Sequence, residues 1–265
     1  MKILPAVLLF VILSFQFLGV NAVKADYNQT YSDYQFLYSQ YRKSFDEYTV
    51  AKATYQTYRT LTTQNDALEK MRTTLTDRAN IVGAYLNLIY DKMTVSEGIP
   101  LNELTSYAKI KSAQESWLSS HKKLISGAAT LEDLNAISHD FDTRYLQIKD
   151  QTNKAVAIIL LSKNDYAYAK MPDLFNRLQA QLSRLPAAGE DNLTHLRGLD
   201  VARSKAQLWE DKRAEILTVM NPKQYSYQQA LDIGKIQNLL FGGLQYLKES
   251  TSYLNEIVGS ITKPI

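Results

Sequence analysis

The chain has 265 residues, 45% of them hydrophobic, with 30 basic and 27 acidic side chains and no cysteine. That composition excludes disulfides, thiolate catalysis, zinc–thiolate centres and lipidation at a cysteine. It also lacks a polybasic block, so nothing offers a nucleic acid an electrostatic footprint.

The first element is not expected to belong to the fold. Met1 and Lys2 give a short positive start, and residues 3–20 are almost wholly apolar. Two small-residue cleavage patterns follow, Val20-Asn21-Ala22 and Val23-Lys24-Ala25. Together these predict a secretory signal peptide over 1–25, cut after Ala22 or Ala25. The alternative is an uncleaved membrane anchor, since 18 residues are close to the minimum that spans a bilayer. Pro5, Ser14 and Gln16 weaken an anchor. Removing 1–25, which hold Lys2 and Lys24 and no acid, leaves 28 basic against 27 acidic residues. Export without cysteine favours a bacterial envelope or extracellular location.

Residues 26–60 form the second element, a tyrosine-rich helical arm. Tyr27, Tyr34, Tyr41, Tyr48 and Tyr55 fall at an unbroken spacing of seven. Tyr31, Tyr38 and Phe45 supply a second column, and Lys52 ends it. Alternating steps of four and three make an a/d seam, the pattern of a helix packed on a partner helix. A tyrosine suits a partly wet seam, because its ring buries apolar area while its hydroxyl reaches water. The rival interpretation is a stacking platform for sugars or peptide. The next heptad column, Leu61, Leu68, Leu75, Val82 and Ile89, is offset from Tyr55 by six residues. The two stripes therefore point in different directions. Either one rod over 26–94 faces two neighbours, or it bends within 60–66, "TLTTQND".

Further helices are predicted over 101–126, 131–185, 191–220 and 222–260, within a bundle spanning 61–265. Thr130 followed by Glu132 and Asp133 reads as a helix start, as does Asn221-Pro222-Lys223-Gln224. Pro172 predicts a kink or break near Lys170. Leu134, Ile137, Phe141, Tyr145 and Ile148 form one apolar stripe, and Met171, Leu174, Leu178, Leu182 and Leu185 another. In the last helix Ile233, Leu240, Leu247, Leu254 and Ile261 recur at sevens, with Leu244 and Val258 between them. Each helix has one apolar side, which predicts an all-α antiparallel bundle of long helices with coiled-coil character.

Chemistry-bearing motifs are sparse. Of His121, His139 and His195, none has a second histidine at ligand spacing; His139 and Asp142 share a helix face but make no metal site. Nucleophile elbows and zinc-protease motifs are missing. Gly242-Gly243 sits in an apolar helical context, where small residues permit close helix contact more often than they cradle an anion. Residues 155–161, "AVAIILL", suit the buried middle of a helix. The exported, cysteine-free, long-helix plan resembles helical pore-forming toxins in architecture, without their longer apolar hairpin.

The sequence thus predicts no catalytic residues, cofactor or metal. It predicts an exported, non-enzymatic bundle with a structural or protein-interaction role at the envelope or outside the cell. Partners would be another protein or a second copy, met through helices, and a membrane only through an uncleaved leader. The alternatives are a membrane-perturbing or pore-forming protein, and a glycan-binding surface protein using the tyrosine ladder.

Overall fold

A computed structural model describes residues 23–184, 190–220 and 232–261. The expected leader, the Asn221-Pro222 helix start and Leu185 lie outside these. Among the described residues seven helices follow one another: α1 (Val23–Tyr58), α2 (Leu61–Val95), α3 (Leu101–Gly127), α4 (Leu131–Ala169), α5 (Met171–Leu182), α6 (Glu190–Met220) and α7 (Ile233–Ile261). The fold is an all-α helical bundle, as the periodicity predicts, with no strand among the described residues.

The chain divides into two compact units. The first holds α1, α2, most of α3 and α4 up to Lys149; the second holds residues 96–103, the rest of α4, and α5 to α7.

In the first unit α1 and α2 form an antiparallel hairpin. The turn is made by Arg59, whose φ of 49° places it in the left-handed region that commonly ends helices. Thr60 then caps α2: its hydroxyl accepts from the Thr63 amide, and the Thr63 hydroxyl accepts from the Thr60 amide. The bend therefore lies at the start of the 60–66 stretch, and the chain does not continue as one rod. The expected arm is no separate body, because α1 lies against α2 inside one unit. Thr30 bonds Asp91 at 2.6 Å, Tyr34 packs on Tyr85, Thr74 bonds the Ser44 carbonyl at 2.7 Å, and Lys70 pairs with Glu47 at 2.7 Å. Rings this apolar need a covering surface, and the chain-adjacent helix supplies it.

Helices α3 and α4 complete this unit. Thr130 caps α4 by accepting from the Asp133 amide, and Asp133 answers by accepting from the Ala129 and Thr130 amides.

The second unit is built around α6 and α7, again antiparallel and close. Gly243 lies against the ring of Trp209, Gly198 against Ile257, and Ser250 bonds the Ala202 carbonyl at 2.7 Å. A Cβ on Gly243 would overlap Cε3 and Cζ3 of Trp209, so the close-contact role expected for the glycine pair holds at Gly243. Pro172 does break the helix: α4 stops at Ala169 and α5 starts at Met171. Arg213 grips Asp165 with both carboxylate oxygens at 2.8 Å, holding α6 to the end of α4. Residues 155–161 are buried or half-buried in this core, as expected of a helix midpoint. Two stripe positions are corrected. Leu174 is exposed and Phe175 is buried instead, and Val258 is exposed while Ile257 is buried.

Candidate functional site: the tyrosine seam and a buried arginine cluster

The seam residues divide into two kinds. Tyr34, Tyr41 and Tyr48 are buried, each 6% exposed or less. Tyr27, Tyr31, Tyr38, Phe45 and Tyr55 are half-buried. The seven-spaced column is thus the inner one, but its companion is not Tyr31, Tyr38 and Phe45. It is Ser44 and Ala51, three residues on rather than four, while Leu37 and Tyr38 are both half-buried. Ser44 and Ala51 are small, and this leaves room for rings on either side and lets the backbones of α1 and α2 approach. The larger rings at 31, 38 and 45 lie on the flank against the inner column, stacked in the pairs Tyr27–Tyr31 and Tyr34–Tyr38 and tilted in Tyr41–Phe45.

Burial raises the pKa of Tyr34, Tyr41, Tyr48 and Tyr85, and it pushes Tyr145 to about 12. These hydroxyls stay neutral at any physiological pH. At the open end Lys92 sits 4.7 Å above the Tyr27 ring.

Below the seam lies a polar cluster that the sequence reading did not single out. Arg78 of α2 is 2% exposed. Its guanidinium lies 4.0 Å from the centre of Phe141 on α4. It donates to Asp142 at 3.0 Å and to the Ser138 hydroxyl at 3.2 Å. Asp142, expected beside His139, is held by Arg78 instead, and His139 is exposed. From α3, His121 stacks on Trp117 and packs at a tilt against Phe141, with ring centres 4.9 and 5.2 Å apart. Arg144 of α4 donates to buried Gln114 of α3 at 3.1 Å. The cluster therefore bolts α2, α3 and α4 together.

Electrostatics follow from depth. Burial lowers the pKa of Arg78, against the pull of Asp142. Burial, and then the Arg78 charge, lowers His121 to about 4, with Asp140 opposing. His121 is neutral at pH 7, with its Nε2 buried and unpartnered among the described residues. The Tyr41 hydroxyl and Arg78 Nε are likewise buried and unpartnered there. A buried charge and three buried polar atoms without a partner among the described residues thus lie close together here.

No family model, curated protein or solved structure matches this chain.

Among the described residues no group of three or more His, Asp or Glu is placed to hold a metal ion, and no helix is long and apolar enough to cross a membrane. A surface hollow on α1, lined by Tyr38, Ser39, Arg42, Lys43, Asp46 and Glu47, is open to solvent. A signal for the Arg78 cluster did exist in the sequence. Met71, Leu75, Arg78, Val82, Tyr85 and Ile89 keep a four–three rhythm, with an arginine in a core place. Tyr107, Gln114, Leu118, His121 and Ile125 do the same on α3.

Proposed function

We propose that this is an exported helical-bundle protein that works by contact with other macromolecules, in a structural or protein-interaction role at the cell envelope or outside the cell. One observation carries it: the polar side chains that converge, Arg78, Asp142, Ser138, Gln114 and Arg144, are engaged in holding helices to one another. What long helices leave for function is their outer faces. The outer face of α6 carries Leu193, Val201 and Leu208, all exposed and within about 80° of one another around the helix. Single exposed apolar residues are ordinary, whereas a stripe of three on a rod can engage a partner helix.

The test has two parts. Mass spectrometry of the mature protein should find an N-terminus at Val23 or Asp26. A chain that begins at Met1 and needs detergent for extraction would be membrane-anchored. Photo-reactive residues placed at Val201 and Leu208 in living cells should each give a discrete adduct. The exposed positions Lys123 and Ser183 serve as controls. Equal, diffuse labelling at all four positions would count against a contact role for α6.

A further inference from the structure

The sequence contains two Asn-x-Ser/Thr tripeptides, Asn28-Gln29-Thr30 and Asn192-Leu193-Thr194, the acceptor pattern for N-linked glycosylation. Each has an acid two places before the asparagine, Asp26 and Glu190. That extra requirement belongs to oligosaccharyltransferases of the bacterial kind, whose acceptor is Asp/Glu-x-Asn-x-Ser/Thr.

The structure separates the two. Asn28 is exposed on the first turns of α1, between two residues committed to α2: Tyr27 lies beneath Lys92, and Thr30 bonds Asp91. A sugar on Asn28 would extend into solvent and disturb neither contact. Asn192 is half-buried, and its amide oxygen is sequestered without a partner among the described residues. A sugar there would force a buried amide outward.

We propose that Asn28 is the acceptor of an N-linked oligosaccharide, attached while the chain is being exported. The inference rests on the export reading above. The donor is a lipid-diphosphate-linked oligosaccharide. The Asn28 amide nitrogen bonds to the anomeric carbon of its first sugar. The bond from that carbon to the phosphate oxygen breaks, the lipid diphosphate leaves with the electron pair, and the amide proton passes to a base on the transferase.

Timing follows from the fold. A transferase must engage the Thr30 hydroxyl, and in the folded protein that hydroxyl is held by Asp91, 61 residues further along the chain. Transfer therefore precedes the docking of α1 on α2. Asn28 is well placed for this, lying within six residues of both expected cleavage points, Ala22 and Ala25. It emerges long before Asp91 does.

The full chain is expressed in a bacterium that carries an acid-requiring oligosaccharyltransferase and its lipid-linked glycan. One version keeps its own leader, and a second has residues 1–22 replaced by the leader of an established exported protein. Glycopeptide mass spectrometry should find the glycan mass on Asn28 in most of the exported chain. Asn28→Gln should abolish it, and Asp26→Ala or Thr30→Val should lower occupancy at least tenfold. A glycan on Asn28 behind the foreign leader but not behind the native one would show a competent acceptor on a chain its own leader does not export, and the inference would fall with the export reading. A bare Asn28 behind the foreign leader, or a glycan on Asn192 with none on Asn28, would overturn the inference itself. So would a bare Asn28 in protein isolated from its own cells.

Discussion

Gly243 and its neighbour Gly242 offer a test in which one residue step reverses the sign. Both lie inside α7, where glycine is less favourable than alanine by about 1 kcal/mol. At Gly242 an added Cβ meets nothing within 4 Å, so Gly242→Ala should stabilise by ~0.5–1 kcal/mol. At Gly243 the Cβ would overlap the ring edge of Trp209, which is fully buried, and would also touch Lys212 Cβ at 3.5 Å. Backing α7 away would strain the Ser250–Ala202 hydrogen bond and the Lys205–Glu249 pair, both 2.7 Å long. Overpacking of this kind costs typically 1–3 kcal/mol, and a rigid indole places it at the upper end. Against the helical gain of about 1 kcal/mol, Gly243→Ala should destabilise by ~2 kcal/mol. For a unit of this size that is a fall of roughly 6–12 °C in Tm. Urea unfolding followed by tryptophan fluorescence reads it directly. The chain's two tryptophans report separately, Trp117 from the first unit and Trp209 from the second. In a Trp117→Phe background only the α6–α7 core is seen. If Gly243→Ala proves as stable as Gly242→Ala, the close approach of these helices is wrong.

Four further outcomes follow from the first unit. Tyr34→Ala and Tyr41→Ala should each cost about 2–4 kcal/mol in denaturant unfolding, and Tyr48→Ala nearly as much because it too is buried, whereas half-buried Tyr38→Ala should cost about half. Tyr41→Phe should be neutral or stabilising, since its hydroxyl is buried without a partner among the described residues; a loss above 1 kcal/mol would point to an acceptor there. Asp142→Ala strands a buried guanidinium and should cost ~2–3 kcal/mol, below the full penalty of a broken buried pair because Asp142 itself is half exposed, while Arg78→Met, which removes the charge at similar volume, should cost less. His121 gives a pH signature: its folded pKa of about 4 lies below its ordinary 6.5, so the unfolded chain binds more protons in that window. Its contribution is complete above pH 6.5 and is lost as the pH falls towards 4; burial sets the shift, the Arg78 charge adds to it and Asp140 opposes it. Comparing urea midpoints at pH 7 and 5 should show a drop that His121→Gln reduces, and equal drops in both proteins would disprove the assignment.

Helix content, the Pro172 break and the Thr130 cap were legible because each is a local effect of backbone chemistry. The inner tyrosine column was legible for the same reason. Its companion column was not, since a column at 34, 41 and 48 accepts neighbours either three or four residues on, and rings at 38 and 45 look more like a core than Ser44 and Ala51 do. The choice is made by the partner helix, which favours the side that lets backbones close. The same ambiguity recurs in α7, where Gly243 and Ser250 rather than Leu244 accompany Leu240, Leu247 and Leu254. Arg78 itself stands out in the four–three rhythm of α2, but its partners Ser138 and Asp142 lie 60 or more residues away on another helix, and a local pattern does not name them.

Neither compact unit is a continuous stretch of chain. Residues 96–103 belong to the second unit although the first unit's residues flank them, and Gly98, with φ of 79°, nestles against the Ser162 carbonyl of α4. The backbone thus passes from one unit to the other three times, the last time in mid-helix at residue 149. No single truncation can liberate either unit whole. A gene fragment ending at 149 would carry an orphaned eight-residue tab, and one beginning at 150 would lack it. Whoever seeks to divide this protein for separate study must graft that tab across, and a ribosome making the chain must commit it to a body whose helices are not yet synthesised.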